Sequence, residues 1–125
     1  MFLSRILIVD DELAVLTTLQ EFFLSRDLEV DCASGLDEAR SKLSENRYAA
    51  VVADIQLSRI GDTEGLELAD FITERCPETA FVILTAHGSQ RVEREALKKG
   101  ASFFLHKPAP LEEIGQIVFG LLDPR

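Results

Sequence analysis

Basic charge is scarce in this chain: 13 lysines and arginines stand against 22 aspartates and glutamates, a formal net charge of −9. A nucleic-acid binder needs a basic footprint to release counterions, and anionic membranes hold proteins through polybasic clusters. Neither is present, so direct binding to nucleic acid or to a membrane surface is not expected. Long apolar runs are missing as well. Ile6-Leu7-Ile8-Val9 and Phe81-Val82-Ile83-Leu84 are far too short to span a bilayer. The N-terminus carries one arginine and a brief apolar stretch before Asp10, without the apolar length or small-residue cleavage site of a secretory signal. The expectation is a soluble, cytoplasmic chain. Cysteine is nearly absent. Cys32 and Cys76 stand far apart with no CxxC spacing, too few for a disulfide framework or a thiolate metal site, and both read as packed free thiols. No internal repeat or low-complexity segment interrupts the chain.

What is present is a regular alternation of strand and helix over 125 residues, a length that suits one domain with a real core. The apolar runs at 5–9, 49–53 and 80–84 predict parallel strands buried on both faces, with shorter strands at 29–33 and 102–105. Leu16, Leu19 and Phe23 mark one face of a helix over 12–25. Ser34 reads as the cap of a second helix, with Asp37 as its capping-box partner. A third helix over 64–75 carries Leu68 and Ile72 on one face and ends before Pro77. A fourth, near 88–99, closes on Lys98-Lys99-Gly100, where glycine supplies the left-handed stop. Pro110 suits the first turn of a fifth helix with the stripe Leu111, Ile114, Val118, Leu121. Five βα units predict an α/β fold: a parallel sheet with helices on both faces and right-handed crossovers.

Ligands of such open sheets bind at the carboxyl ends of the strands. Strand one ends in Asp10-Asp11-Glu12, strand three in Asp54, strand four in Thr85, and strand five just before Lys107-Pro108. One acid at a strand end means little, because helix N-termini favour Asp in any case. The convergence of carboxylates, a hydroxyl and a lysine on one sheet edge means more. Close carboxylates repel, and a hard cation relieves the repulsion. Mg²⁺ takes oxygen ligands, one or two of them carboxylates, which suits Asp11 and Asp54 as direct ligands and Asp10 through water. Calcium fits less well, since no EF-hand-like loop is present. A carboxylate beside such an ion and a lysine can attack a phosphoryl donor, with Lys107 offsetting charge and Thr85 able to hydrogen-bond an oxygen.

These residues resemble the receiver domain of two-component signalling. The resemblance covers essentially the whole chain, 1–125 as a single domain, and rests on ILIVDDE, VVADIQL, VILTAHG and GASFFLHKP in order. It implies a chemotaxis-regulator-like, flavodoxin-like (βα)5 three-layer sandwich with strand order 2-1-3-4-5. It implies Asp54 as phosphoacceptor, Mg²⁺ on the side chains of Asp11 and Asp54 and the backbone carbonyl of Gln56, and assistance from Asp10. It implies that Lys107 pairs with the phosphate across a cis bond to Pro108, and that Thr85 and Phe104 switch together. Gln56 and His87 would tune dephosphorylation. The implied partners are a histidine kinase or phosphotransfer protein and a downstream effector or output domain, with a homodimer open. The coupling would run through the face of the fourth helix, fifth strand and fifth helix. Such a chain is a switch rather than a conventional enzyme, although it catalyses its own phosphoryl transfer and loss. Plainer readings stand beside these roles: Thr85 as a helix cap, Phe104 as core, Lys107 as a solvated lysine, and His87 and His106 as exposed polar residues.

The segment after Asp54 departs from the family. Ser58 occupies the usual proline position, and the stretch to Gly65 is about three residues longer than usual, so the loop, tipped by Arg59 and Asp62, should project over the site and offers a partner surface. Ala101-Ser102-Phe103-Phe104 replaces the acidic strand-five motif of the common paired DNA-binding regulators, which argues against that dimer. Asp123-Pro124-Arg125 suits either a linker or a natural end. A phosphohydrolase of the haloacid-dehalogenase type would place its nucleophile in Asp-x-Asp on strand one, where adjacent Asp10-Asp11 and Leu13 do not fit. No GxxxxGK[ST] or GxGxxG follows strand one to support a nucleotide or flavin site. A receiver that has lost phosphorylation is disfavoured, because all five key positions are filled.

Overall fold

The computed structural model describes residues 4–54, 64–86 and 90–122. Its strands are β1 Arg5–Val9, β2 Glu29–Ala33, β3 Ala50–Ala53, β4 Ala80–Thr85 and β5 Phe103–His106. Its helices are α1 Leu13–Leu24, α2 Leu36–Glu45, α3 Glu64–Arg75, α4 Gln90–Lys98 and α5 Leu111–Leu122. The strands pair in parallel in the order β2-β1-β3-β4-β5, as expected.

Side chains alternate across a strand, and the sheet therefore builds two cores. Leu7, Val9, Val51, Ala53, Phe81 and Ile83 face α2, α3 and α4. Ile6, Ile8, Ala50, Val52, Val82 and Leu84 face α1 and α5. The buried stripes follow the helical period: Leu16, Leu19 and Phe23 on α1, Ile114 and Val118 on α5. Cys32 and Cys76 are half-buried free thiols, one packed on each core.

The helix ends show where sequence chemistry sets the boundaries. Gly100 adopts φ 103°, the Gly100 N–H donates to the Leu97 carbonyl at 3.2 Å, and the Ala101 N–H donates to the Ala96 carbonyl at 3.0 Å. Gly100 is thus the left-handed stop anticipated for Lys98-Lys99-Gly100, closed here by two backbone bonds. A Cβ at this position would also overlap the Thr73 hydroxyl, which donates to the Lys99 carbonyl at 2.6 Å. Gly100→Ala is therefore expected to cost about 2 kcal/mol from left-handed strain and the clash together, read as a lower urea midpoint at unchanged slope.

The second helix corrects one expectation. Its N-cap is Gly35, not Ser34, and it starts at Leu36, which places Glu38 rather than Asp37 at the third helical position. Glu38 Oε1 accepts the Ser34 N–H at 2.7 Å and faces the Ser34 hydroxyl at 3.2 Å, while exposed Asp37 lies 3.9 Å from Arg40. The Ser34 N–H bond holds the Glu38 carboxyl below its ordinary 4.5, so this support is present above that pH and is lost as pH falls through the lowered folded value. Glu38→Ala should destabilise by about 0.5–1 kcal/mol at pH 7, and the gap to wild type should close in an acid denaturation series as pH falls below 4.5 through the lowered folded value.

Strand five also begins later than expected. Ser102 stands before β5; its N–H donates to the Phe81 carbonyl at 2.6 Å and its hydroxyl accepts the Phe81 N–H at 3.0 Å, so a side chain completes the ladder there. Pro110 precedes α5 instead of opening it, its carbonyl accepting the Ile114 N–H at 3.1 Å.

Candidate functional site

The carboxyl edge of the central strands carries three polar side chains that the apolar runs drive into the interior. Asp10 is 2% exposed at the end of β1, and Asp54 is 4% exposed at the end of β3; both backbones are fixed by the sheet, with the Asp54 N–H donating to the Val9 carbonyl at 3.0 Å. Thr85 ends β4 and is fully buried. Beyond β5, the Lys107 backbone N–H donates to the Thr85 carbonyl at 2.9 Å, and the Lys107–Pro108 peptide is cis. From that position the Lys107 ammonium donates to Asp10 Oδ2 at 2.9 Å and to Asp54 Oδ2 at 3.1 Å. Residues 97 and 53 positions apart in the chain thus share one hydrogen-bonded cation.

One ammonium between two buried carboxylates leaves an excess of negative charge. Burial drives the Asp10 carboxyl above its ordinary value; the Lys107 bond and the Glu12 N–H, 2.9 Å from Asp10 Oδ1, oppose this without cancelling it, and the Asp54 charge adds to it. Burial alone would pull Lys107 down, but the bonds and charges of Asp10 and Asp54 outweigh it and leave the lysine raised. The two shifts agree physically: among the described residues the Lys107 ammonium is held charged by both acids, while Asp10 has to share it.

Asp11 and Glu12 follow on the surface, and ligand oxygens of Asp10, Asp11 and Glu12 all lie within 4.8 Å of one another. An all-oxygen donor set around an undercompensated carboxylate fits a hard divalent cation. The structure thus brings Asp10, Asp54 and Lys107 together and sets Thr85 at the end of the adjoining β4, while Asp11 groups with Asp10 and Glu12 in a set that does not include Asp54. Gln56 and His87, and the long loop with Ser58, Arg59 and Asp62, lie outside the described residues.

Phe104 is 8% exposed and packs in the core with Ala96 of α4, whereas Phe103 is 44% exposed. His106, two residues on, shares the Phe104 face: the rings meet edge-on with centroids 5.2 Å apart, and His106 Nε2 lies 3.2 Å from Glu93 Oε1 of α4. His106 is exposed, as read from the sequence, and its surface pair with Glu93 is an addition to that reading. The i, i+2 spacing from Phe104 on a strand was the signal available for it. Beside the site, an apolar groove of about 340 Å³ runs between Val15, Leu19, Leu84, Pro108 and Leu111. A larger cavity of about 910 Å³, bordered by Arg5, Tyr48 and Arg75, lies at the opposite, amino end of the strands, remote from the acids. Among the described residues no helix is long and apolar enough to cross a membrane.

Residues 6–119 match the model of the response regulator receiver domain. The chain is 33% identical over 115 residues to the response regulator protein PilR of Pseudomonas aeruginosa, covering 92% of this chain and 25% of that protein. A CheY-like receiver domain protein from Methanospirillum hungatei superposes with a TM-score of 0.91 at 26% identity, covering 98% of this chain and 96% of the other. A response regulator from Burkholderia pseudomallei, solved with a phosphorylated aspartic acid, a calcium ion and citrate, superposes with a TM-score of 0.81 at 25% identity, over 96% of this chain and 66% of the other. The chain spans from a quarter to about three-fifths of the length of the curated relatives it matches. The ordered strand ends, the sheet topology and the match over 6–119 place this chain in the response regulator receiver domain family of two-component, phosphorylation-dependent signalling.

Proposed function

We propose that the chain acts as one receiver domain over 1–125 and accepts a phosphoryl group from a phosphohistidine of a histidine kinase or phosphotransfer protein onto Asp54. The observation that carries this reading is the Lys107 ammonium bridging Asp10 and Asp54 at the strand ends. A phosphorylated aspartate in the Burkholderia relative supports it. A carboxylate oxygen of Asp54 attacks phosphorus, the P–N bond breaks, and the imidazole leaves with the electron pair. Asp10, Asp11 and Asp54, with the Gln56 carbonyl, would hold Mg²⁺, which when bound offsets charge on the phosphoryl oxygens. Lys107 leaves its bond to Asp54 to meet the same charge, and the Thr85 hydroxyl donates to a phosphoryl oxygen. Water attacking phosphorus then returns Asp54 and inorganic phosphate, a step that Gln56 and His87 tune.

Phosphorylation alters partner binding through the face of α4, β5 and α5. The support is the sequence of neighbours: the Lys107 N–H on the Thr85 carbonyl, then His106 and Phe104 on the strand that packs against α4. The partners are a kinase or phosphotransfer protein in the cytoplasm and an effector or output domain.

The test is intact mass after incubation with Mg²⁺ and acetyl phosphate. The expected result is one phosphoryl addition to wild type, absent with EDTA and absent in Asp54→Asn. A wild type that binds Mg²⁺ yet gains no phosphoryl group would overturn the reading.

A further inference from the structure

The sheet face covered by α1 and α5 stays partly open at its carboxyl end. Leu84 of β4 and Ile114 of α5 are buried, and they floor the apolar groove of about 340 Å³ that lies beside the site. Ala14 and Val15 of α1 stand on one wall, and Pro108 and Leu111 on the other. Lys107 is the one charged residue of this lining among the described residues. Asp10 and Asp54 are not part of the lining, yet the Lys107 ammonium bonds them at 2.9 and 3.1 Å. The lysine side chain therefore runs between the groove and the phosphoacceptor, and the two are one continuous space along its stem.

These two features define an occupant. A molecule that is held by the groove and reacts at Asp54 carries a phosphoryl group at one end and an uncharged carbon chain at the other. An acyl phosphate meets both requirements. A tail ending in a carboxylate does not, because the lining offers it no cation except Lys107, which is already held by two acids.

We propose that the groove is a tail pocket through which this domain prefers apolar acyl phosphates to acetyl phosphate as small-molecule phosphodonors. This rests on the reading of Asp54 as phosphoacceptor. An Asp54 carboxylate oxygen forms the bond to phosphorus, the P–O bond to the acyl group breaks, and the carboxylate leaves with the electron pair. The leaving oxygen departs opposite Asp54, toward the rim of the site, and the tail turns back along the Lys107 stem. The single methyl of acetyl phosphate is too short for that turn, whereas the longer chain of butyryl phosphate reaches Val15 and Leu111. Tail burial is the same before and during transfer, so it tightens donor binding and leaves the limiting rate unchanged.

Phosphoryl addition followed by intact mass, with Mg²⁺ and graded donor concentrations, tests it. Butyryl phosphate should exceed acetyl phosphate about three- to tenfold in second-order rate constant, the gain from burying two further methylenes in an open groove, and the difference should lie in the half-saturating concentration. Ala14→Phe, at an exposed position outside the acidic edge, fills the groove from its wall. It should abolish the difference and leave the acetyl phosphate rate unchanged. Equal rate constants for the two donors, or a preference that survives Ala14→Phe, overturn the tail pocket and leave the phosphoacceptor reading intact. Equal rate constants joined to a concentration-dependent dimer that Ala14→Phe dissolves give the groove to a second copy and overturn the pocket as well. A non-transferable pair separates binding from transfer: butylphosphonate with Mg²⁺ should shift the methyl NMR signals of Val15 and Leu111, and methylphosphonate should not. If neither donor phosphorylates wild type, the phosphoacceptor reading falls and the donor role with it, while the phosphonates still judge the pocket; unmoved methyl signals overturn it.

Discussion

Lys107→Met is expected to lose about 3–5 kcal/mol of folding free energy in EDTA, and to recover a large part of it on adding Mg²⁺. Methionine keeps an apolar stem and removes the ammonium, so the loss isolates charge from packing. In wild type that ammonium bonds Asp10 and Asp54, which are 2% and 4% exposed. Without it, Asp10 keeps the Glu12 N–H, and two buried acids face each other across the vacated position. Because Lys107 is raised above its ordinary 10.5, its contribution is fully present below that pH, and neutral conditions measure all of it. A cation bound only by the folded state stabilises by RT ln(1 + [Mg²⁺]/Kd), about 2.7 kcal/mol at a hundredfold excess over Kd. The increment from Mg²⁺ should be larger in the variant than in wild type. A loss below about 1 kcal/mol in EDTA would show that the acids do not depend on this lysine.

Much of this site could be read from the chain because its residues sit where apolar runs stop. Ile6-Leu7-Ile8-Val9 must be a buried strand, so Asp10 must stand at its exit; the same holds for Asp54 after Ala50–Ala53 and for Thr85 at the end of its own run. A parallel sheet then sets all three on one edge without any knowledge of distances. Boundaries set by single hydrogen bonds were less legible. Whether Ser34 or Gly35 caps α2 turns on one residue of phase, and that phase decides whether Asp37 or Glu38 reaches back. Ser102 completing the β5 ladder through its hydroxyl is a tertiary event with no local signature. Phe103 and Phe104 are equally apolar, and only the register against β4 turns Phe104 to the core and Phe103 outward. The pair of Glu93 with His106 depends on how α4 lies over β5, which thirteen residues of separation do not encode.

Asp10→Asn should move stability the opposite way from Lys107→Met and cost function. Burial, reinforced by the Asp54 charge, leaves the Asp10 carboxyl raised above its ordinary 3.8 in the folded protein. Between these two values the folded chain binds more proton than the unfolded chain, so stability falls as pH rises through the raised folded value. Above that raised value the whole penalty of an undercompensated charge is in force. An asparagine can still accept from Lys107 or Glu12 and carries no charge, so the variant should gain about 1–3 kcal/mol in EDTA, with the gain shrinking toward pH 4. Mg²⁺ binding should weaken at least about tenfold, because one of the carboxylates that attract the ion is gone. In the double variant with Lys107→Met, the neutral residue 10 should cancel part of the lysine's loss, giving a coupling energy of about 1–3 kcal/mol by double-mutant cycle. Additive effects would mean that Asp10 and Lys107 do not act through the bond between them. A gain in stability joined to a loss of metal affinity would identify the acidic edge as a place where the fold accepts strain for the sake of its chemistry.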